Sequence, residues 1–325
     1  MIIRSQKILR ILARWSLGLA VFSAMQPAVM AAETAVIDPK SRFHPVHGKS
    51  GMVVSQEIVA SQVGADILSQ GGNAIDAVVA TGFALAVTLP RAGNLAGGGF
   101  MLVYLAEENK TIALDYREMA PAAASRDMFL KSNGDVDDRL ARGSLKSSGV
   151  PGTVAGLLHA HEKYGLLTLK QVIQPAIDLA AGGITVNVDL SYSIKSRAER
   201  LKREPATRRY FFKEDGSFYE LGDNLVQSDL ANSLRRIAAN GRSGFYQGKT
   251  AELIASQMTR SGGLISLDDL KNYRVVERAP VCADYEINKV CSMPPPSSGG
   301  IHLLQILNIL EPWDLTALGH NSAAY

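Results

Sequence analysis

Arg117, in the segment DYREMAP (Asp115–Pro121), is the residue of this sequence best placed to do chemistry. The residues before it predict a buried β-strand, in which Ala113, Asp115 and Arg117 share one face. A buried guanidinium needs a partner, because an unpaired buried charge costs several kcal/mol. That partner is either Asp115 or Glu118 nearby, or the carboxylate of a ligand held by two parallel hydrogen bonds. Spacing alone favours the structural ion pair, and ligand binding is the alternative.

Two other patterns resemble reactive sites but fail on spacing. Gly97–Gly99 precede a predicted strand, Phe100–Leu105, whereas the glycines of a phosphate-binding loop precede a helix. Leu102 stands where the pattern GxGxxG requires glycine, so we expect these glycines to permit close backbone approach and positive φ angles instead. Ser297 and Ser298 lack the GxSxG turn of a nucleophilic serine, and we expect them to cap the helix that follows.

The sequence predicts no metal site and no organic cofactor. Its six histidines form no HExxH pattern and have no carboxylate at ligand spacing. No nucleophile with an adjacent base and no carboxylate pair can be assembled, so no catalytic residue is assigned within the chain. The basic stretch 195–209 is predicted to be a solvated helix face and not a nucleic-acid site.

Cys282 and Cys291 lie in a predicted hairpin, Pro280–Met293, and enclose the segment ADYEINKV. If Glu286 and Ile287 form the turn, the two cysteines lie directly opposite each other on paired strands. That arrangement suits a disulfide, and an exported protein meets oxidising conditions. The sequence favours a disulfide, with two buried free thiols as the alternative.

The amino-terminal segment predicts export. Four basic residues precede an apolar run of eleven, Trp15–Met25, and small residues at Ala31 and Ala32 follow at cleavage spacing. Eleven residues are too few to span a bilayer, so residues 1–31 are predicted to be a signal peptide. Its removal lowers the formal net charge from +3 to −1, because the segment carries four basic and no acidic residues. We expect a mature domain of residues 32–325, periplasmic or secreted, without membrane attachment.

Periodicity predicts the elements that position these residues. Helix Ala74–Thr88, capped by Asn73, is apolar on nearly every side and is therefore expected in the core. Strand Phe100–Leu105 is apolar on both faces and is expected to be buried. It returns through a polar turn as the partner strand Thr111–Arg117, and an apolar helix is predicted over Ile301–Leu310.

Four motifs occur in the order and at the approximate distances found in γ-glutamyltranspeptidases. They are AGNLAGGGFM (Ala92–Met101), DYREMAP (Asp115–Pro121), GVPGTVAG (Gly149–Gly156) and MPPPSSGGIH (Met293–His302). From about Phe43 the chain resembles the amino-terminal part of the large subunit of the bacterial periplasmic enzyme. The resemblance implies an α+β fold, the αββα sandwich of N-terminal-nucleophile hydrolases. It also implies an incomplete sandwich, because family precursors continue well beyond the position of Tyr325.

The resemblance implies γ-glutamyl transfer from, or hydrolysis of, glutathione and other γ-glutamyl amides. Family precursors cut themselves and expose a threonine, whose hydroxyl attacks the amide with its own α-amine as base. That threonine matches no position in this chain, whereas Arg117 matches the arginine that holds the α-carboxylate of the γ-glutamyl group. The expected partners are a γ-glutamyl substrate and the missing small-subunit segment, and we expect the chain alone to be inactive.

Two other functions remain open from the sequence. One is a related N-terminal-nucleophile acylase that acts on another γ-glutamyl amide. The other is a noncatalytic exported protein, with a binding or structural role, descended from such an enzyme. The family resemblance implies neither a metal nor an organic cofactor.

Overall fold

The structure is a computed structural model that describes residues 47–319 and Ser322. The chain divides into two compact units, Met1–Lys49 and Ser50–Tyr325, and the fold is that of the second unit. The predicted signal peptide, residues 1–31, lies outside the described residues. Within the described part of the chain, no helix combines the length and the apolar character needed to cross a bilayer.

Helices make up most of the regular structure. They are α1 Ile58–Ser69, α2 Ala74–Thr88, α3 Asp138–Gly143, α4 Thr153–Tyr164, α5 Leu169–Gly182, α6 Val188–Ser196, α7 Ala198–Leu201, α8 Pro205–Phe211, α9 Ser228–Asn240, α10 Ser243–Tyr246, α11 Gly248–Arg260, α12 Leu267–Asn272, α13 Gly299–Leu310 and α14 Leu315–Leu318. The strands are β1 Phe100–Leu105, β2 Lys110–Asp115, β3 Ile184–Thr185, β4 Asn224–Leu225, β5 Val276–Arg278, β6 Val281–Tyr285 and β7 Asn288–Ser292.

Helix α2 lies at the centre of the core, as its apolar sequence predicts. Asn73 begins it with a capping box: its side chain accepts from the Asp76 amide, and the Asp76 carboxylate accepts from the Asn73 amide. Val79, Phe83 and Val87 are fully buried. Helices α1, α4 and α5 pack against α2, so its apolar surface is covered on several sides.

Three antiparallel strands form the sheet that leads to the candidate site. Strand β2 lies between β1 and β5, with Asp115 opposite both Phe100 and Val276. Strand β2 is buried on both faces from its third residue onwards. Strand β1 is an edge strand, and its Leu102 and Tyr104 side chains are exposed. The expectation that β1 is buried on both faces is therefore wrong, because no strand or layer of the described chain covers that outer face.

The second hairpin, β6–β7, carries the two cysteines. Its two-residue turn is Glu286–Ile287, as predicted, and Glu286 has φ 50°. Cys282 lies directly opposite Cys291, and a disulfide joins them in the structure. Helix α13 packs against both strands of this hairpin, yet Gly300 is its one buried residue.

Helix and sheet are combined as the α+β prediction requires. The described strands form one three-stranded sheet and two ladders of two strands each, β3–β4 and β6–β7. The described residues therefore do not contain two complete central sheets, which agrees with the expectation of an incomplete sandwich.

Candidate functional site

The residues that follow β2 are held at both ends by main-chain hydrogen bonds. Gly99 and Tyr116 each donate an amide to the other's carbonyl, at 3.2 and 3.1 Å. Met119 and Val150 exchange a second pair of such bonds, at 3.3 and 2.8 Å. Arg117 therefore lies in a short segment that is anchored on either side of it.

Residues 115–119 are called the Arg117 segment. Glycines in two other parts of the sequence allow their backbone to approach this segment closely. A Cβ on Gly98 would lie 2.7 Å from the Tyr116 carbonyl oxygen, and one on Gly152 would lie 2.0 Å from it. Neither position can hold a side chain at those distances. Close approach is confirmed for Gly97–Gly99, but the predicted positive φ is wrong, because none of the three adopts it. The first three motifs of the sequence thus meet at one place.

Arg117 itself is exposed, which corrects the prediction of a buried guanidinium: β2 ends two residues earlier, at Asp115. Its Nη1 donates to the Pro296 carbonyl at 3.3 Å, and its other guanidinium N–H groups have no partner among the described residues. The Asp115 carboxylate pairs instead with Arg278, whose Nε lies 2.9 Å from Oδ2. The ion pair with Asp115 or Glu118 that spacing favoured is therefore wrong within the described chain.

Both main-chain polar groups of Arg117 are bound by side chains. Its amide donates to Asp115 Oδ1 at 3.1 Å, and the Tyr273 hydroxyl donates to its carbonyl at 2.8 Å. Sequence reasoning missed Tyr273 and Arg278, which lie outside the four motifs. They contact the Arg117 segment across 156 and 163 residues, and no local spacing signals such a contact.

The Tyr273 side chain packs against an aromatic neighbour. Its ring stacks on that of Tyr246, with an interplanar angle of 11° and centroids 5.9 Å apart. The Arg242 guanidinium lies 4.3 Å from the Tyr246 centroid and donates to the Tyr273 carbonyl. Burial raises the pKa of Tyr273 and of Tyr246, and it raises the pKa of Tyr116 to about 12. The Tyr273 hydroxyl therefore stays protonated, and able to donate, at neutral pH.

A family model described as gamma-glutamyltranspeptidase matches residues 60–325, which include all four motifs. The chain belongs to the γ-glutamyltranspeptidase family. It is similar to the glutathione hydrolase proenzyme of Escherichia coli (strain K12), with 50% identity over 281 residues. It is also similar to the acylase ACY 1 proenzyme of Pseudomonas sp. (strain V22), with 39% identity over 284 residues. Each match covers 86% of this chain but only 48% and 50% of the relatives, so the chain spans about half their length.

A solved structure confirms the fold class. The crystal structure of Helicobacter pylori gamma-glutamyltranspeptidase matches with a TM-score of 0.84 and 45% identity, over 86% of this chain and 80% of that one. The chain therefore has the α+β fold of the N-terminal-nucleophile hydrolases, as the resemblance implied. Within this γ-glutamyltranspeptidase fold, the Arg117 segment is where three of the four motifs converge.

The fourth motif supplies the loop that receives the Arg117 hydrogen bond. Ser297 Oγ accepts from the Gly299 amide at 3.2 Å, a local turn bond at the beginning of α13, but Ser297 is not the N-cap residue of that helix. The capping prediction is wrong for Ser298, the N-cap residue, which makes no side-chain cap bond because its backbone is already helical. Neither hydroxyl bonds a histidine in the described part of the chain.

Other candidate features lie apart from Arg117. Among the residues that the structure describes, no group of three or more His, Cys, Asp or Glu side chains could hold a metal ion. A cleft of about 670 Å³ beside α6–α8 is lined by Arg91, Tyr192 and Arg200, and by no residue of the Arg117 segment. The basic stretch 195–209 lies on exposed helix surface there, as predicted.

Proposed function

We propose that this chain binds the α-carboxylate of a γ-glutamyl group through Arg117, as part of a γ-glutamyltransferase and glutathione hydrolase. The observation that carries the proposal is the guanidinium itself. It is exposed, makes one hydrogen bond to Pro296, and has no carboxylate partner among the described residues. Free N–H groups on a planar guanidinium match the two oxygens of a carboxylate. The name of the E. coli relative, glutathione hydrolase proenzyme, supports glutathione as the donor.

In the proposed reaction, Arg117 holds the α-carboxylate while a threonine hydroxyl attacks the γ-carbonyl carbon. The hydroxyl proton passes to the α-amine of the same threonine as the C–O bond forms. The C–N bond of the substrate then breaks, and the leaving amine takes that proton. Water or an acceptor amine attacks the resulting ester, which releases glutamate or a new γ-glutamyl amide and restores the threonine hydroxyl. Arg117 contributes by holding the carboxylate end of the substrate, which helps to place the γ-carbonyl against the threonine hydroxyl.

The same proposal assigns the rest of the chain. Residues 1–31 form a cleaved signal peptide, supported by the basic segment, the apolar run and Ala31 at its end. Residues 32–325 form the amino-terminal part of the large subunit, in the periplasm or outside the cell. The partner is the small-subunit segment that carries the threonine, and the reaction uses neither a metal nor an organic cofactor.

A related acylase is the second candidate. The match to the Pseudomonas relative named acylase ACY 1 proenzyme covers 86% of this chain, as does the match to the E. coli relative. Glutaryl p-nitroanilide separates the two functions, because it keeps the carboxylate that Arg117 would hold and lacks the α-amine of a γ-glutamyl group. An acylase would turn over this compound with a higher kcat/KM than γ-glutamyl p-nitroanilide, and a γ-glutamyltransferase would show the reverse order.

A hybrid proenzyme tests the proposal. It joins this chain to the part of the E. coli relative that follows the matched region, and the 50% identity favours correct assembly. We expect the hybrid to release p-nitroaniline from γ-glutamyl p-nitroanilide and to cleave glutathione, and we expect the chain alone to do neither. A hybrid that melts cooperatively but turns over neither compound would support the noncatalytic alternative. Turnover by the chain alone would place the nucleophile within it.

A further inference from the structure

One short segment, Tyr273–Arg278, reaches both main-chain polar groups of Arg117. Tyr273 donates directly to the Arg117 carbonyl, at 2.8 Å. Arg278 acts through Asp115: its Nε donates to Oδ2 at 2.9 Å, while Oδ1 accepts from the Arg117 amide at 3.1 Å. Tyr273 is 3% exposed and Asp115 is 7% exposed, so each contact has one buried partner.

These contacts fix the Arg117 main chain, whereas little fixes its guanidinium. Among the described residues, the Tyr273 hydroxyl is the one partner of the Arg117 carbonyl. The guanidinium has a single bond, to Pro296 at 3.3 Å. The direction in which the Arg117 side chain projects therefore depends on the backbone conformation that Tyr273 and Asp115 stabilise.

The absence of a side chain at Gly152 leaves room for the Tyr273 hydroxyl beside the Arg117 carbonyl. A Cβ on Gly152 would lie 2.2 Å from the Tyr273 hydroxyl oxygen. The ring is held independently, by stacking on Tyr246. A phenylalanine at position 273 would keep that stacking and lose only the hydrogen bond, so packing and positioning can be separated.

We propose that Tyr273 and Arg278 are positioning residues, which set where the Arg117 guanidinium meets the α-carboxylate of the substrate. The inference rests on the proposed function, because it concerns the same carboxylate site. Tyr273 acts directly on the Arg117 carbonyl, and Arg278 acts through Asp115. Neither residue touches the substrate.

The test uses Tyr273→Phe in the hybrid proenzyme, with γ-glutamyl p-nitroanilide as substrate. We expect KM to rise about 5-fold, as for the loss of one hydrogen bond of about 1 kcal/mol, with kcat almost unchanged. Tyr246→Phe is the control, because that ring is also buried and its hydroxyl donates to Pro151 and accepts from the Ala155 amide, with no bond to Arg117. It should leave KM unchanged. Arg278→Lys, which keeps a positive charge beside Asp115, should raise KM by about 2-fold.

A double variant separates this inference from the proposed function. In an Arg117→Ala background, Tyr273→Phe should have no further effect on KM, because the guanidinium that Tyr273 positions is gone, although the main-chain carbonyl remains. If Arg117→Ala raises KM but Tyr273→Phe does not, the positioning role is wrong and the carboxylate site stands. An unchanged KM in Arg117→Ala overturns both. An additive effect of the two substitutions shows that Tyr273 acts by another route and overturns the inference.

A second measurement needs no turnover. In this chain alone, the order parameter of the Arg117 amide, from ¹⁵N relaxation, should be near the rigid value of about 0.85. Tyr273→Phe should lower it, and Tyr246→Phe should not. An equal order parameter in all three proteins would contradict the positioning role.

Discussion

Helices α2 and α13 have similarly apolar sequences and opposite environments. In α2, Phe83 and Val79 are fully buried, because α1, α4 and α5 surround the helix. In α13, Ile306 is 54% exposed and Ile309 is 70% exposed, because the main packing partner of this helix among the described elements is the β6–β7 hairpin. The difference shows that apolar composition sets which face can be buried, while the neighbouring elements decide whether it is buried.

Arg117 lies where these two regions meet. Its main chain belongs to the core region, through Gly99, Asp115 and Tyr273. Its guanidinium reaches the α13 region, through the Pro296 carbonyl. A firmly held backbone with a loosely held side-chain end suits a group that must be placed accurately and still exchange ligands.

The largest expected effect is the loss of stability on truncating a buried side chain of α2. Phe83→Ala should lower the free energy of unfolding by about 3–5 kcal/mol, because the side chain is fully buried and its removal leaves a cavity. Ile309→Ala, in α13, should change it by less than about 0.5 kcal/mol. Urea denaturation of the two variants measures the contrast. Equal losses would show that α13 is covered as well as α2 is.

The next effect concerns the close backbone contact between Gly152 and the Arg117 segment. Gly152→Ala should cost about 3 kcal/mol, because its Cβ would lie 2.0 Å from the Tyr116 carbonyl oxygen. Gly182→Ala is the control, since a Cβ there meets nothing within 4 Å, and it should be neutral or stabilising by less than about 1 kcal/mol. Thermal melts of both variants provide the comparison. A Gly152→Ala protein as stable as the parent would mean that the backbone at Gly152 and the backbone at Tyr116 are not so close.

Sequence patterns predicted local structure well. The cap at Asn73, both hairpin turns and the bounds of α2 follow from residues within a few positions of each other. The burial of Arg117 was wrong, because the strand ended earlier than its apolar alternation suggested. Tyr273 and Arg278 could not be found, because their contacts depend on how α12 and β5 pack against a distant segment. Patterns of period 2 or 3.6 carry no information about such packing.

The third expected effect concerns the disulfide of the β6–β7 hairpin, on which α13 packs. We predict that the exported protein carries the Cys282–Cys291 disulfide, and that replacing both cysteines with alanine costs about 2–3 kcal/mol for so short a loop. Mass spectrometry of the non-reduced, alkylated protein measures the bond directly. Two alkylated thiols in the native protein would refute the disulfide and leave the free-thiol alternative.

The smallest effect concerns the contact between α4 and β5. Hydrogen bonds from Lys163 and then His159 lower the pKa of Glu277 in the folded protein. Because this pKa is lowered by folding, the ionised carboxylate stabilises the folded protein fully above the unfolded pKa of about 4.3. That stabilisation is lost as the pH falls through the folded pKa. Glu277→Gln should therefore cost at most about 1 kcal/mol at pH 7 and less at about pH 3. A difference that persists undiminished at pH 3 would assign the effect to packing instead.

The central claim is that Arg117 holds the α-carboxylate, and Arg117→Lys in the hybrid proenzyme tests it most directly. Lysine keeps the charge and loses the planar pair of donors, so KM for γ-glutamyl p-nitroanilide should rise about 10- to 100-fold while the protein melts as before. With the α-carboxamide analogue of that substrate, which offers no carboxylate, the parent and Arg117→Lys should have the same KM. An unchanged KM for the carboxylate substrate would contradict the claim.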